Sequence, residues 1–409
     1  VLQAIAPIES IAAGGAGVAR VDGLVVFVPR TAPGDLAEFS YVKKDRLGHG
    51  RLRRLEVSSP ARVAPRCRHY ERDRCGGCQL QHITGEAQRD AKRQVVADAF
   101  ARIARRPVAV PAVIASPAEW AYRNKLTLTM RRQGEHWTAG MHRWDDVDRV
   151  FALEECPITH PRVVAGWHEV MAGQSLLPRA PELRGAVRLA GDSLAFVLEG
   201  VSGWPRAHAF AERLPSFSVV RWIDLDGRPH DVIDAPTARP AASFEQVNPA
   251  MAERLHADVV ALVRGLAPSV VVDAYAGAGD TAVALAGAGV RVTAIELDRE
   301  AATHAARRLA PPSTAVCARV EDVLALHLPA DVVILNPPRG GVDPRVCDAL
   351  ESPPDGARPA AVVYVSCNPA TLARDVARLP SYGVAQVQPY DMFPQTAHVE
   401  TVCLLVPEN

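Results

Sequence analysis

Over residues 1–58 apolar and polar residues alternate in short runs cut by glycine turns, as in Gly17-Val18-Ala19-Arg20, Gly23-Leu24-Val25-Val26-Phe27-Val28 and Pro33-Gly34-Asp35. A period of two between turns this closely spaced predicts short strands, and their spacing fits a small five-stranded barrel of the oligonucleotide-binding kind. From Gly85 to Ala104 the apolar positions change to the spacing of an amphipathic helix. Residues from about 107 to 240 mix strand-like pieces (Lys125 to Met130, Ala186 to Leu189, Leu194 to Leu198, Val219 to Leu225) with proline-rich breaks, an α+β pattern.

From 243 onward the pattern is regular. A helix from Pro249 to Leu266 leads into the apolar run Val270 to Ala274, the turn Tyr275-Ala276-Gly277-Ala278-Gly279, and a helical stretch to Ala288. A strand from Arg291 to Ile295 ends in Glu296, a helix spans Arg299 to Leu309, and strands follow at Ala315 to Arg319, Asp331 to Leu335 and Ala361 to Val365. Such alternation predicts a doubly wound parallel sheet. Val384 to Pro389 and Val399 to Leu405 are close enough to add an antiparallel edge pair. The expected class is α/β, with a Rossmann-like, mostly parallel C-terminal domain (241–409), an OB-like β-barrel (1–58) and an α+β central domain (59–240).

Composition adds bounds. At 409 residues, 48% of them apolar, the chain suits about two to four domains with real cores. No apolar run approaches the roughly 18 residues a bilayer requires. Gly14, Gly15 and Gly17 break the one candidate for a secretory signal, so a soluble, cytoplasmic protein is expected. A monomer is expected separately. The net charge of zero hides an asymmetry: residues 1–132 carry +11 and the remainder −11. Lys43, Lys44, Arg46, Arg51, Arg53 and Arg54 fall in the last strands of the expected barrel, which fits a polyanion-binding module on an acidic catalytic body. A merely solvated basic face has the same composition.

Four of the eight cysteines are grouped: Cys67, Cys75 and Cys78, with Cys156-Pro157 further on. Nothing extracellular supports a disulfide framework, so grouped thiols point to metal. Paired glycines in Cys75-Gly76-Gly77-Cys78 let the backbone wrap close to a centre. An iron–sulfur cluster and a structural zinc use the same four ligands.

Gly277-Ala278-Gly279 follows a strand and provides a close backbone approach, and Glu296 ends the next strand, where a carboxylate meets ribose hydroxyls. The third glycine of a pyrophosphate fingerprint is replaced by Ala282, and Asp273 before the loop repels phosphate but suits a cation. Together these favour S-adenosylmethionine. Asn336-Pro337-Pro338-Arg339 ends a strand with a turn stiffened by two prolines, either aiming Asn336 at a base or simply starting a helix. Cys367 lies in Tyr364-Val365-Ser366-Cys367-Asn368-Pro369, where a strand end opens onto the crevice; packing and nucleophilic catalysis are both open to such a thiol. Tyr122-Arg123-Asn124-Lys125 suits base stacking and phosphate contact, or a surface turn.

With these runs the chain resembles the RNA uridine-5-methyltransferase family, whose members make 5-methyluridine in transfer RNA and 23S ribosomal RNA. The resemblance covers nearly the whole length. It takes in a TRAM-like barrel, Cys75-Gly76-Gly77-Cys78-Gln79-Leu80-Gln81-His82, Tyr122 to Lys125, Phe244-Glu245-Gln246-Val247-Asn248 and the glycine loop. It continues through Asn336 to Arg339, Tyr364 to Asp375 and Asp391-Met392-Phe393-Pro394-Gln395-Thr396-Ala397-His398-Val399-Glu400.

The resemblance implies Cys367 as nucleophile and Glu400 as general base. It implies Gln246, Tyr275, Gly277, Gly279, Glu296, Asp322 and Asn336 as the binding site of S-adenosylmethionine, Asn336 being shared with the uracil. It implies Cys67, Cys75, Cys78 and Cys156 as holders of a [4Fe-4S] cluster, zinc being the alternative, and RNA as substrate, 23S ribosomal RNA ahead of transfer RNA. Two features depart from the family: Asn336 stands where Asp is usual, and the Cys67 to Cys75 spacing is wider. Methylation of a nucleobase amino group and a non-enzymatic RNA-binding role are the competing functions.

Overall fold

The computed structural model describes residues 1–234, 246–353, 356 and 358–408. Phe244, Glu245 and the expected boundary at 240/241 lie outside the described residues. Strands Leu2–Ile11 (β1), Gly17–Val21 (β2), Leu24–Val28 (β3), Leu36–Lys44 (β4) and Leu47–Val57 (β5) close into a barrel in the order β1-β2-β3-β5-β4. Alternation produces its core: Ile8, Val26, Val28 and Phe39 point inward, while Lys43, Lys44, Arg46, Arg51, Arg53 and Arg54 are exposed. Buried Asp35 ties the barrel to the next segment, accepting hydrogen bonds from Ala32 N and Ser59 N and pairing with Arg62 at 2.7 Å.

A short helix, Arg68–Glu71 (α1), precedes the Cys75 to Cys78 loop, and Gly85–Ala99 (α2) follows it. Thr84 caps α2 by accepting from Ala87 N, and Gln88, Ala91, Lys92, Val96 and Ala99 form its buried face. The helix runs on into a wider π-turn, Phe100–Ala104.

The second sheet contains Lys125–Gln133 (β6), His136–His142 (β7), Val150–Ala152 (β8), Glu182–Ala190 (β9), Ser193–Val201 (β10), Phe217–Asp224 (β11) and Pro229–Asp234 (β12). Its order is β12-β11-β10-β9-β6-β7-β8, antiparallel except for β10 beside β11. The pieces at β6, β9, β10 and β11 are apolar enough to show in the sequence; β7, β8 and β12 are short or polar and do not.

The third sheet holds Val270–Ala274 (β13), Arg291–Glu296 (β14), Thr314–Cys317 (β15), Val332–Leu335 (β16), Ala361–Ser366 (β17), Tyr382–Tyr390 (β18) and Glu400–Pro407 (β19), in the order β15-β14-β13-β16-β17-β19-β18. The strands from β13 to β17 run parallel. The expected antiparallel pair is present, but β19 is inserted between β17 and β18 rather than hung outside. One face packs against Pro249–Gly265, whose Met251, Leu255, Val259 and Val263 recur every four residues. The other face packs against Pro344–Glu351, Pro369–Val376 and, from far earlier in the chain, Val96, Ala99, Phe100 and Ala104. Among the described residues no helix is long and apolar enough to cross a membrane.

Candidate active site

The order of the third sheet reverses between β13 and β16, and in open α/β sheets the ligand crevice lies at such a point, beyond the carboxyl ends of the strands. The glycine loop after β13, Asn336 after β16 and Cys367 after β17 therefore open on one edge. Tyr275, Gly277 and Gly279 all have positive φ. A Cβ on Gly279 would stand 2.6 Å from the Cβ of Ala305, so that position needs glycine twice over, for its dihedral and for its close approach to the neighbouring helix. Glu296 braces the loop, accepting from Gly277 N at 2.8 Å and Asp298 N at 2.7 Å. Asp273 is buried beneath it with one carboxylate oxygen unpartnered; burial pushes its pKa to about 7, with Glu296 and Asp280 adding to the effect.

Asn336 is exposed at the crevice and donates its backbone N–H to Ala274 O. Asp322 sits beyond β15 and accepts from Arg345 at 2.8 Å. Gln246 begins a half-buried segment fixed on both sides: Asn124 N donates to Val247 O, and Asn248 donates through its side chain to Met392 O at 3.1 Å. The Tyr122 to Lys125 run is thus no surface turn. Tyr122 and Asn124 are buried, and Tyr122 donates its hydroxyl to Pro394 O, so neither ring nor amide is presented to a base.

Cys367 is half-buried at the end of the wholly buried β17. Asn368 caps the following helix, accepting from Ala370 N, and reaches with its side-chain N–H towards Arg339 O, which Thr371 also contacts. The Cys367 turn and the Asn336 to Arg339 turn are thereby one unit. Asp375 locks it, with no exposed surface, accepting from Tyr364 OH (2.8 Å), Val342 N (3.0 Å) and Arg374 (2.7 Å).

Ser366 pairs with Thr401 across β17 and β19, so the next step along each strand brings Cys367 and Glu400 together. Glu400 is 2% exposed, and its Oε2 has no partner. Burial pushes its carboxyl up to about 8, against the pull of the Arg339 guanidinium. Burial also raises the Cys367 thiol, Glu400 adds to this, and Arg339 opposes it by charge and hydrogen bond. Arg339, absent from the expected site, is thus a cation in reach of both Cys367 and Glu400; its place in the Asn-Pro-Pro-Arg run was the available signal.

Cys67, Cys75, Cys78 and Cys156 line one small cavity together with Tyr70, Arg123 and Met141. Gly77 N donates to Cys75 Sγ and Thr159 Oγ1 to Cys156 Sγ. Burial and the neighbouring thiols raise Cys67 and Cys75 to about 11. Two guanidinium groups flank the thiols: Arg30 donates to Cys75 O at 2.9 Å, and both Arg30 Nη1 and Arg123 Nε are buried without partners. Half-buried guanidinium groups, each with one buried nitrogen unpartnered, beside four soft donors suit an anionic metal–thiolate centre. Among the described residues, however, no three His, Cys, Asp or Glu side chains stand in a metal-holding arrangement. The expected ligands are gathered, and coordination itself is not displayed.

Residues 314–408 match the family model described as tRNA (uracil-5-)-methyltransferase. An uncharacterized RNA methyltransferase of Thermosynechococcus vestitus is 35% identical over 97% of this chain and 96% of its own. One from Halalkalibacterium halodurans is 31% identical over 98% and 96%. Among solved structures, Pyrococcus abyssi tRNA (uracil-54, C5)-methyltransferase in complex with S-adenosyl-L-homocysteine covers 98% of this chain and 100% of its own, with a TM-score of 0.67 at 22% identity, a likeness of fold. The likeness to these relatives runs across all three sheets, and the chain belongs to their family of RNA methyltransferases, with its C-terminal part matching the tRNA (uracil-5-)-methyltransferase model.

Proposed function

We propose that the chain methylates C5 of a uridine in structured RNA with S-adenosylmethionine as donor, through covalent addition of Cys367. The observation that carries this is the meeting of half-buried Cys367 with buried Glu400 at the carboxyl edge of the sheet, two strands from its switch point, with exposed Arg339 in electrostatic reach of both. Bound S-adenosylmethionine supplies an electrophilic methyl group, and Gln246, Tyr275, Gly277, Gly279, Glu296, Asp322 and Asn336 are the residues that would hold it. C5 of uracil is too weak a nucleophile to take that methyl unaided. When the Cys367 thiolate adds to C6, the C5–C6 π electrons pass into an enolate on O4, and C5 becomes nucleophilic. Arg339 favours the thiolate, and the side-chain N–H groups of Asn336 and Gln246 are available to O4, a donation that an Asp at 336 makes only when protonated. C5 then bonds to the methyl carbon as the donor's carbon–sulfur bond breaks. Glu400 takes H5, the C5=C6 bond re-forms, and Cys367 leaves as thiolate. Burial provides the basicity that removing a carbon-bound proton requires.

The target uridine must be unstacked to expose C5 and C6. The exposed cations of the barrel support an RNA-binding role, and the combination of barrel and thiol cavity supports 23S ribosomal RNA, the branch with which the resemblance associates both. Transfer RNA is the second reading, favoured by the wording of the family model and of the Pyrococcus neighbour. For the cavity we propose a [4Fe-4S] cluster held by Cys67, Cys75, Cys78 and Cys156, with zinc as alternative, in a cytoplasmic monomer. Visible absorption of protein purified without oxygen distinguishes the two metals.

The test is direct. Cys367→Ala should abolish methylation, whereas Glu400→Gln should accumulate an RNA–protein adduct that survives a denaturing gel. Turnover by the Cys367 variant would remove the covalent scheme and favour amino-group methylation. Mapping 5-methyluridine by mass spectrometry in both RNA classes, from cells with and without the gene, decides the substrate.

A further inference from the structure

Glu400 stands at the end of the loop 391–399, which closes on the pair Tyr390 and Glu400. Most of what holds this loop comes from residues 79–122, hundreds of positions away. Lys92, 1% exposed on the apolar face of α2, donates to Asp391 Oδ1 at 2.5 Å and Phe393 O at 3.0 Å. Gln88, one turn earlier, exchanges two hydrogen bonds with Gln395: its side-chain N–H donates to Gln395 Oε1 at 2.9 Å, and Gln395 N donates to its Oε1 at 2.8 Å. Leu80 N donates to Gln395 O, Ala397 N to Gln79 Oε1, and Tyr122 OH to Pro394 O. Gln395 sits at φ 69°, a backbone geometry that a non-glycine residue keeps only when its surroundings enforce it.

A buried Lys–Asp pair is poor economy as a source of stability, because both charges lose their hydration. Its geometric effect is specific: it fixes both strands' ends at the position where the base must meet C5. We propose that Lys92 and Gln88 are positioning residues for Glu400, holding its carboxylate over the C5 hydrogen so that adduct breakdown keeps pace with adduct formation. This rests on the reading that Glu400 removes H5. Both side chains are buried and bonded to the loop, so neither is proposed to be catalytic.

The experiment separates formation from breakdown of the adduct. Full-length protein is given ribosomal and transfer RNA from cells lacking the gene, labelled either with 5-fluorouridine, which traps the adduct whatever the base does, or with 5-tritiated uridine, whose tritium release needs the base. Lys92→Met and Gln88→Leu should form the fluorouridine adduct within about threefold of the parent rate, while tritium release falls about tenfold or more. The double variant Lys92→Met/Asp391→Leu removes both buried charges, keeps thermal stability near the parent's, and should show the same split. Equal losses in both assays, or unchanged tritium release in any of these variants, overturn the inference. If Glu400→Gln releases tritium as fast as the parent, the reading of Glu400 itself fails instead.

Discussion

At the scale of single residues, the site's charges set its pH behaviour. Glu400 carries its proton until about pH 8, and the Cys367 thiol is also raised, so each requires a proton to leave before it acts. Turnover should therefore climb through neutral pH and keep rising beyond pH 8, because the thiol is held above its ordinary range, whereas the single-turnover rate of adduct breakdown should follow Glu400 alone and level off above about 8. The same shift sets a stability slope. A carboxyl raised from 4.5 to about 8 keeps in the folded state a proton that the unfolded chain has released, so stability falls as pH rises through that window. Glu400→Gln should flatten this slope in denaturant titrations at successive pH values. Arg339→Met removes a cation that favours the thiolate, and adduct formation should fall roughly tenfold at neutral pH and recover as pH is raised. No recovery would mean that Arg339 contacts the RNA instead.

At the scale of elements, the site depends on turns locked to helices. Asp375 joins the Asn336 to Arg339 turn, β17 and the helix after Cys367 through Val342 N, Tyr364 and Arg374. Asp375→Ala strands a buried hydroxyl and a backbone N–H together, and should cost roughly 3 kcal/mol of unfolding free energy. Activity should fall further than the folded fraction does, because both Cys367 and Arg339 lose their brace. The starts of three helices here were legible in the sequence because their caps are local: Thr84, Asn248 and Asp298 each accept from a backbone N–H three residues on. The helix capped by Asn368 was not read from the sequence. The π-turn after α2 was not, since the packing of Phe100 and Ala104 under the third sheet dictates it.

At the scale of the whole molecule, charge and catalysis are carried by different sheets. If the exposed Lys43, Arg46 and Arg51 of the barrel meet phosphates, replacing all three by Glu should weaken RNA binding by about tenfold or more at physiological salt. The salt dependence should become shallower by about three phosphate contacts. The rate of methyl transfer at saturating RNA should stay unchanged, the check being the separation of KM from kcat.

By itself the sequence determined what local periodicity and local chemistry can fix. It yielded the barrel, the parallel sheet, the cysteine grouping, and the turns bearing Gly277, Asn336 and Cys367. Each single strand and turn among these, and the run from Cys67 to Cys78, depends on residues within a dozen positions of one another. Tertiary structure alone decided the partnerships across the chain: Glu400 opposite Cys367 through the insertion of β19, Arg339 in reach of both, and Lys92 of α2 on the loop beyond β18. It also turned Tyr122 and Asn124 inward, where the sequence had offered them to RNA. The physical reason is that burial, and with it the raised carboxyl and the buried ion pair, belongs to neighbours in space, which no spacing along one strand or helix records.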